Sequence, residues 1–124
     1  MKLCKLAALA ACMIVPSAAH AAVELSSLYQ AYENNNYSTL SMEERNKPLR
    51  ISAIALELST NLKGAPILAA GNDDGYELAR LSTTDKAQQA VMTTLRPGQK
   101  FEAECVLQFT SGSDWMAFHD CRFN

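Results

Sequence analysis

Four side chains of this sequence have the chemistry to bind a ligand: Lys63, Tyr76, Arg80 and Trp115. Aromatic rings give flat surfaces on which a sugar or a nucleic-acid base can stack, and lysine and arginine supply positive charge. Trp115 follows the turn-forming segment 110–114, so it lies beside a loop. Its odd number also places it on the inward face of the strand predicted below, and we favour a core position for it. For the other three, scattered surface residues are the favoured interpretation.

The sequence has no pattern typical of an active site or a metal site. His119 has no serine or cysteine nucleophile in a recognisable setting, so a packed or partly exposed histidine is favoured. Asp73, Asp74 and Glu77 could bind calcium weakly, but they lack EF-hand spacing and fit a turn better. We therefore expect no enzyme activity, no metal and no cofactor.

Residues 1–21 have the pattern of a signal peptide. Two lysines precede an apolar run of about ten residues, which a proline and the small-residue pattern Ala-His-Ala close. A membrane span needs about 20 apolar residues. We expect a single domain, residues 22–124, exported to the periplasm or secreted, with no transmembrane segment. The segment Leu-Ala-Ala-Cys leaves one alternative, a lipoprotein anchored through Cys12.

The exported domain is acidic. The whole chain has 11 Lys and Arg and 13 Asp and Glu, and the signal peptide removes two lysines and no acid, so nine basic residues face thirteen acidic ones. Binding to nucleic-acid phosphates or anionic lipid needs clustered Lys and Arg. Only Arg45, Lys47 and Arg50 lie close together, and a solvated loop is the favoured interpretation. Nucleic acid is a possible but disfavoured partner.

Two of the four cysteines, Cys105 and Cys121, remain after export. An even pair in an exported chain predicts a disulfide, and the absence of Cys-x-x-Cys spacing argues against a metal. If the two cysteines face each other across a hairpin, the centre of the hairpin falls on Ser113. The same register pairs Glu104 with Arg122. The same register predicts a core face of odd-numbered residues: Phe101, Ala103, Leu107, Phe109, Trp115, Ala117, His119 and Phe123.

Apolar residues three and four positions apart predict a helix at the start of the exported domain. They are Leu25, Leu28, Tyr29 and Tyr32. Asparagines at 34–36 end this helix. Ser41 and Glu44 fit a capping box, which favours a short helical stretch at 41–45.

The rest of the chain predicts five strands and one more helix. The strands are 49–58, 65–70, 76–81 and two strands within 99–124. In the first strand the apolar positions change parity near 53–55, as a bulge requires. Before the fourth strand, Thr83 or Thr84 can cap a helix that Pro97 ends. Its predicted buried side is formed by Ala87, Ala90, Val91 and Leu95.

This order predicts a mainly β protein, a five-stranded OB-fold barrel (β-β-β-α-β-β) preceded by an N-terminal helix. Four segments resemble the tRNA-anti-like family of exported bacterial OB-fold domains. They are Leu28-Tyr29-Gln30-Ala31-Tyr32-Glu33-Asn34-Asn35, Pro48-Leu49-Arg50-Ile51, Leu95-Arg96-Pro97-Gly98-Gln99-Lys100 and Asp120-Cys121. Through its anticodon-binding relatives the resemblance implies nucleic-acid binding, which is an analogy of fold.

We expect a small exported, non-catalytic binding module that acts in the bacterial envelope through protein or glycan contacts. The alternative is an oligonucleotide-binding OB domain. A toxin-like subunit that binds host sugars has the same size and fold, but no motif points to it. The distribution of Lys and Arg on the second and third strands separates the first two, because nucleic acid needs a continuous basic stripe.

Overall fold

The computed structural model describes residues 21–123. The predicted signal peptide, apart from Ala21, and the alternative anchor Cys12 lie outside the described residues. The elements in chain order are β1 (Val23–Glu24), α1 (Leu25–Asn34), β2 (Pro48–Thr60), β3 (Pro66–Gly71), β4 (Glu77–Leu81), α2 (Lys86–Met92), β5 (Lys100–Leu107) and β6 (Met116–Phe123). None of the helices within residues 21–123 is long and apolar enough to cross a membrane.

Strands β2 to β6 form a closed mixed barrel. The strands neighbour one another in the order β2-β3-β4-β6-β5, and β5 pairs again with β2 to close the sheet. The pairing of β4 with β6 is parallel, and the other barrel pairings are antiparallel. The helix α2 connects the third barrel strand to the fourth. This topology confirms the predicted five-stranded OB-fold with a helix before it.

The long strand β2 belongs to both halves of the barrel. Its first part pairs with β5 and its second part with β3, and the register to β3 shifts between Ala55 and Glu57. The predicted bulge is confirmed, but it lies about two residues later in the chain. Ala53 and Ala55 are both buried, so the inward alternation continues until Leu56. The sequence prediction used the large apolar residues, so the two small alanines gave no sign that the inward alternation continues.

The core fills the barrel and continues beneath α1. Leu25, Leu28 and Tyr32 from this helix are buried, which confirms the predicted first helix and its inward face. They pack with the inward residues of the strands. The largest fully buried side chains there are Ile51, Leu68, Leu81, Leu107, Met116 and Phe118.

The predicted helical stretch at 41–45 is wrong. This segment forms turns whose backbone is tied to the barrel: Asn46 N–H donates to the carbonyl of Leu107 at 2.8 Å. The side chain of Met42, which belongs to this segment, is buried. The capping-box pattern did not form a helix because backbone hydrogen bonds to β5 and turn bonds such as Met42 N–H to Thr39 were made instead.

The helix α2 is capped by a different residue, and buries a different side, than the sequence predicted. Asp85, not Thr83 or Thr84, caps it, since its carboxylate accepts from the N–H groups of residues 87 and 88. The predicted buried side is wrong: Ala87, Ala90 and Val91 are exposed, Leu95 is partly buried, and the residue that α2 buries is Met92. A helix of seven residues is too short for its periodicity to show a face.

The predicted disulfide between Cys105 and Cys121 is present. Glu104 pairs with Arg122 as predicted, but beyond Cys105 the register shifts, and Val106 pairs with His119. One extra residue in β6 reverses which side chains point inward. Asp120, at the shift, has a φ of 53°.

The register shift in β6 and the end of β5 at Leu107 together correct half of the predicted core face. Phe101, Ala103, Leu107 and Phe123 are buried as predicted. Trp115, Ala117 and His119 are half-buried on the outer side, so their predicted place on the inward face is wrong. His119 is nevertheless partly exposed, as favoured above. Phe109 lies beyond the end of β5 and is 52% exposed, so its predicted core position is wrong. Met116 and Phe118 take the inward positions instead.

Candidate ligand-binding face

The loop between β5 and β6 is held by α1 and the segment after it. The hydroxyl of Tyr29 donates to the carbonyl of Asp114 at 2.6 Å, and that of Tyr32 to Ser113 at 2.8 Å. Gly112 N–H donates to the carbonyl of Tyr37 at 2.7 Å. The N-terminal helix therefore fixes the loop from which Trp115 emerges.

Thr39 is the buried centre of this attachment. Its backbone N–H donates to the carbonyl of Thr110 at 2.9 Å, and its hydroxyl accepts from the N–H of Thr110 at 2.8 Å. The same hydroxyl donates to the carbonyl of Gln108 at 3.2 Å. Thr39 is 0% exposed, so these bonds form away from water.

One row of outward residues crosses four strands of the barrel. The registers place Glu57 beside Ala69, Ala69 beside Arg80, and Arg80 beside Ala117. Ala69 and Ala117 leave space on both sides of Arg80, so its side chain lies over a shallow floor.

Arg80 and Trp115 stack on this floor. The guanidinium carbon of Arg80 lies 4.2 Å from the centroid of the Trp115 ring, a cation–π contact. Its Nε is 2.6 Å from a carboxylate oxygen of Glu77. That hydrogen bond raises the pKa of Arg80 above its ordinary value, so the group stays a cation. Arg80 and Trp115 line a groove of ≈ 170 Å³ with Ile67, Gln108 and Ala117. We call this surface the Trp115 face.

The structure brings together two of the four predicted binding residues. Arg80 and Trp115 touch each other, whereas Lys63 lies exposed in the loop between β2 and β3. Tyr76, 68% exposed, precedes β4 and lines a different depression.

That depression is a second candidate site, which the sequence did not single out. It has a volume of ≈ 500 Å³ and is lined by three tyrosines and three acids: Tyr29, Tyr37, Tyr76, Glu33, Glu77 and Asp114. We call it the tyrosine cleft. The pattern 25–32 pointed to Tyr29 only as a core residue, and Tyr37 gave no signal because it lies in an irregular segment with a φ of 58°.

The strands β3 and β4 carry no basic stripe. Arg80 is the only Lys or Arg within Pro66–Gly71 and Glu77–Leu81, and it is already paired with Glu77. The Trp115 face is therefore a mixed surface of one ion pair, one indole ring and small apolar residues.

The remaining polar candidates make short-range contacts. His119 Nδ1 is 3.1 Å from a carboxylate oxygen of Asp120. At Asp74 the contact is made by the backbone, whose N–H donates to the Asn72 side chain at 3.0 Å, as expected for a turn before β4. Within residues 21–123, no group of three or more His, Cys, Asp or Glu side chains is placed to hold a metal ion.

A scan against models of known protein families finds no match to this chain. A search of curated proteins also finds no relative. The resemblance to the tRNA-anti-like family therefore stays a prediction.

Proposed function

We propose that this protein is a non-catalytic OB-fold module of the bacterial envelope that binds a protein or a glycan through the Trp115 face. The observation that carries the proposal is the stack of Arg80 on Trp115. The ring and the guanidinium are held by each other and by Glu77, so little conformational entropy is lost when a ligand packs on them. Trp and Arg are also the residues most enriched among binding hot spots.

The location forms part of the proposal. The Cys105–Cys121 disulfide favours an oxidising compartment. Together with the signal-peptide pattern of residues 1–21, it supports a periplasmic or secreted protein. Membership of the tRNA-anti-like family is likewise proposed from the four segments quoted above.

The distribution of charge favours protein or glycan over oligonucleotide. A base could stack on Trp115. However, affinity for nucleic acid comes largely from cations that neutralise phosphates, and the one cation on β3 and β4 is shared with Glu77. A sugar or a peptide needs only the ring, the guanidinium and nearby hydrogen-bonding groups such as Gln108.

The test is a glycan array and an affinity capture from envelope extract, each with the wild type and Trp115→Ala. The matched control is Tyr76→Leu, which removes an exposed ring outside the Trp115 face. We expect a ligand that the wild type and the control retain and that Trp115→Ala loses. Equal retention by all three proteins would remove the Trp115 face from the proposal.

A further inference from the structure

The tyrosine cleft has the walls of a cation site. The rings of Tyr29 and Tyr37 lie 6.5 Å apart between centroids with an interplanar angle of 69°, an edge-to-face arrangement, and both rings border the cleft. Tyr37 is 39% exposed and Tyr76 68% exposed, and both border the same space. The negative face of an aromatic ring attracts a positive group.

The acids of the cleft leave negative charge uncompensated. Glu77 is paired with Arg80. Within residues 21–123, no Lys or Arg nitrogen lies within ion-pair distance of Glu33 or Asp114, and the described residues that line the cleft include no lysine or arginine. A cation that enters would find two carboxylates without a positive partner.

The pKa values of the tyrosine hydroxyls in the cleft respond to the same negative charge. The charge of Glu33 is the main reason that the pKa of Tyr37 lies above its ordinary value, and Asp114 acts in the same direction. For Tyr29, burial raises the pKa first, with Tyr37, Glu33 and Asp114 adding to it. The part of these shifts that comes from Glu33 and Asp114 reflects negative charge in the cleft, and that charge favours a positive group.

We propose that the tyrosine cleft binds an alkylammonium group, a positively charged amine on a carbon chain. The carboxylates of Glu33 and Asp114 receive the charged head, and the rings of Tyr29, Tyr37 and Tyr76 lie beside the head and the first carbons of the chain. This site goes beyond the proposed function, because it needs neither Trp115 nor a protein or glycan ligand on that face.

The first experiment is an NMR titration of the ¹⁵N-labelled protein with butylammonium and, in parallel, with uncharged butanol. We expect saturable, millimolar binding of butylammonium that weakens as salt rises. The amides that shift should be those of the cleft, at 26–33, 37, 72–78 and 114. Butanol should bind at least about tenfold more weakly, because it fills the same space without the charge.

The second experiment repeats the titration on variants whose spectra show that they are folded. Glu33→Gln should weaken butylammonium binding by about tenfold and Tyr76→Leu by about fivefold. One matched control should bind like the wild type: Glu43→Gln, which makes the same charge change on an exposed acid outside the cleft.

Three results would overturn the proposal. They are no saturable shift with butylammonium, equal binding of butanol, or unchanged binding in both Glu33→Gln and Tyr76→Leu. Because these titrations use butylammonium and vary no residue of the Trp115–Arg80 stack, failure here and failure of the Trp115 face are distinguishable.

Discussion

Replacing Thr39 by valine tests how the loop that carries Trp115 is held. Valine has the same shape without the hydroxyl, so the buried N–H of Thr110 loses its acceptor. The carbonyl of Gln108 keeps a bond from the hydroxyl of Thr110 at 3.2 Å, so one orphaned donor is expected. A buried unsatisfied donor costs about 1 to 3 kcal/mol. A loss of about 2 kcal/mol corresponds to a fall in melting temperature of roughly 8 to 16 °C for a domain of this size.

Thr39→Ser is the matched control, because it keeps the hydroxyl and removes one methyl group, worth about 0.8 kcal/mol. Urea unfolding of both variants measures the difference in the free energy of unfolding, and amide hydrogen exchange measures protection at Thr110. We expect the valine variant to be less stable than the serine variant and to lose protection at Thr110. A valine variant as stable as the serine variant, with unchanged exchange, would refute this account of the loop.

Three further predictions concern stability. Replacing Cys105 and Cys121 together by alanine should lower the free energy of unfolding by about 3 kcal/mol, because the disulfide closes a loop with a sequence separation of 16; a melting temperature equal to that of the oxidised wild type would contradict this. Gly71→Ala should lower the free energy of unfolding by about 3 kcal/mol, because the added Cβ would collide with the carbonyl of Tyr76. Gly64→Ala has open space around the new Cβ and only a φ of +84° to strain it, so it should lower the free energy of unfolding by about 1 kcal/mol. Urea unfolding that ranks the two variants in the opposite order would show that the β3–β4 bend tolerates a side chain. The pKa values of Tyr29, Tyr32 and Tyr37 are raised in the folded state, so the stability that their neutral hydroxyls contribute is complete below the ordinary tyrosine pKa and is lost as pH rises through the folded pKa values. The absorbance of tyrosinate should show these tyrosines titrating late, and in Glu33→Gln the titration of Tyr37 should move to lower pH. An unchanged titration curve in that variant would argue against the Glu33 contact.

Strand order, the bulge in β2 and the disulfide could be predicted because each has a local signal. Turn residues separate the strands, the parity of the large apolar residues changes along β2, and only two cysteines follow the predicted signal peptide. Hairpin arithmetic also gave the correct pairing of Glu104 with Arg122. These features depend on residues close in sequence or on one cysteine pair.

The site could be predicted only in part, because it depends on one extra residue in β6. The bulge next to Cys121 moves Trp115 from the predicted inner side to the outer side, where Arg80 meets it. Nothing local marks that bulge, since Asp120 adopts a positive φ without being a glycine. The tyrosine cleft was missed for a different reason: it combines α1, the turn before β4 and the β5–β6 loop, which only the closed barrel brings together.

The fluorescence of Trp115 gives the most direct test of the Trp115 face, because the chain has a single tryptophan. A saturable change in its emission should follow addition of the glycan found by the array or the protein found by affinity capture. Arg80→Ala should weaken the binding of that ligand. At physiological salt, single-stranded DNA or RNA should change the emission only in the weak non-specific range, with a dissociation constant of about 10⁻⁴ to 10⁻⁶ M or worse. A sub-micromolar response to an oligonucleotide, with a steep dependence on salt and loss in Arg80→Ala, would contradict the account and make this face a nucleic-acid site.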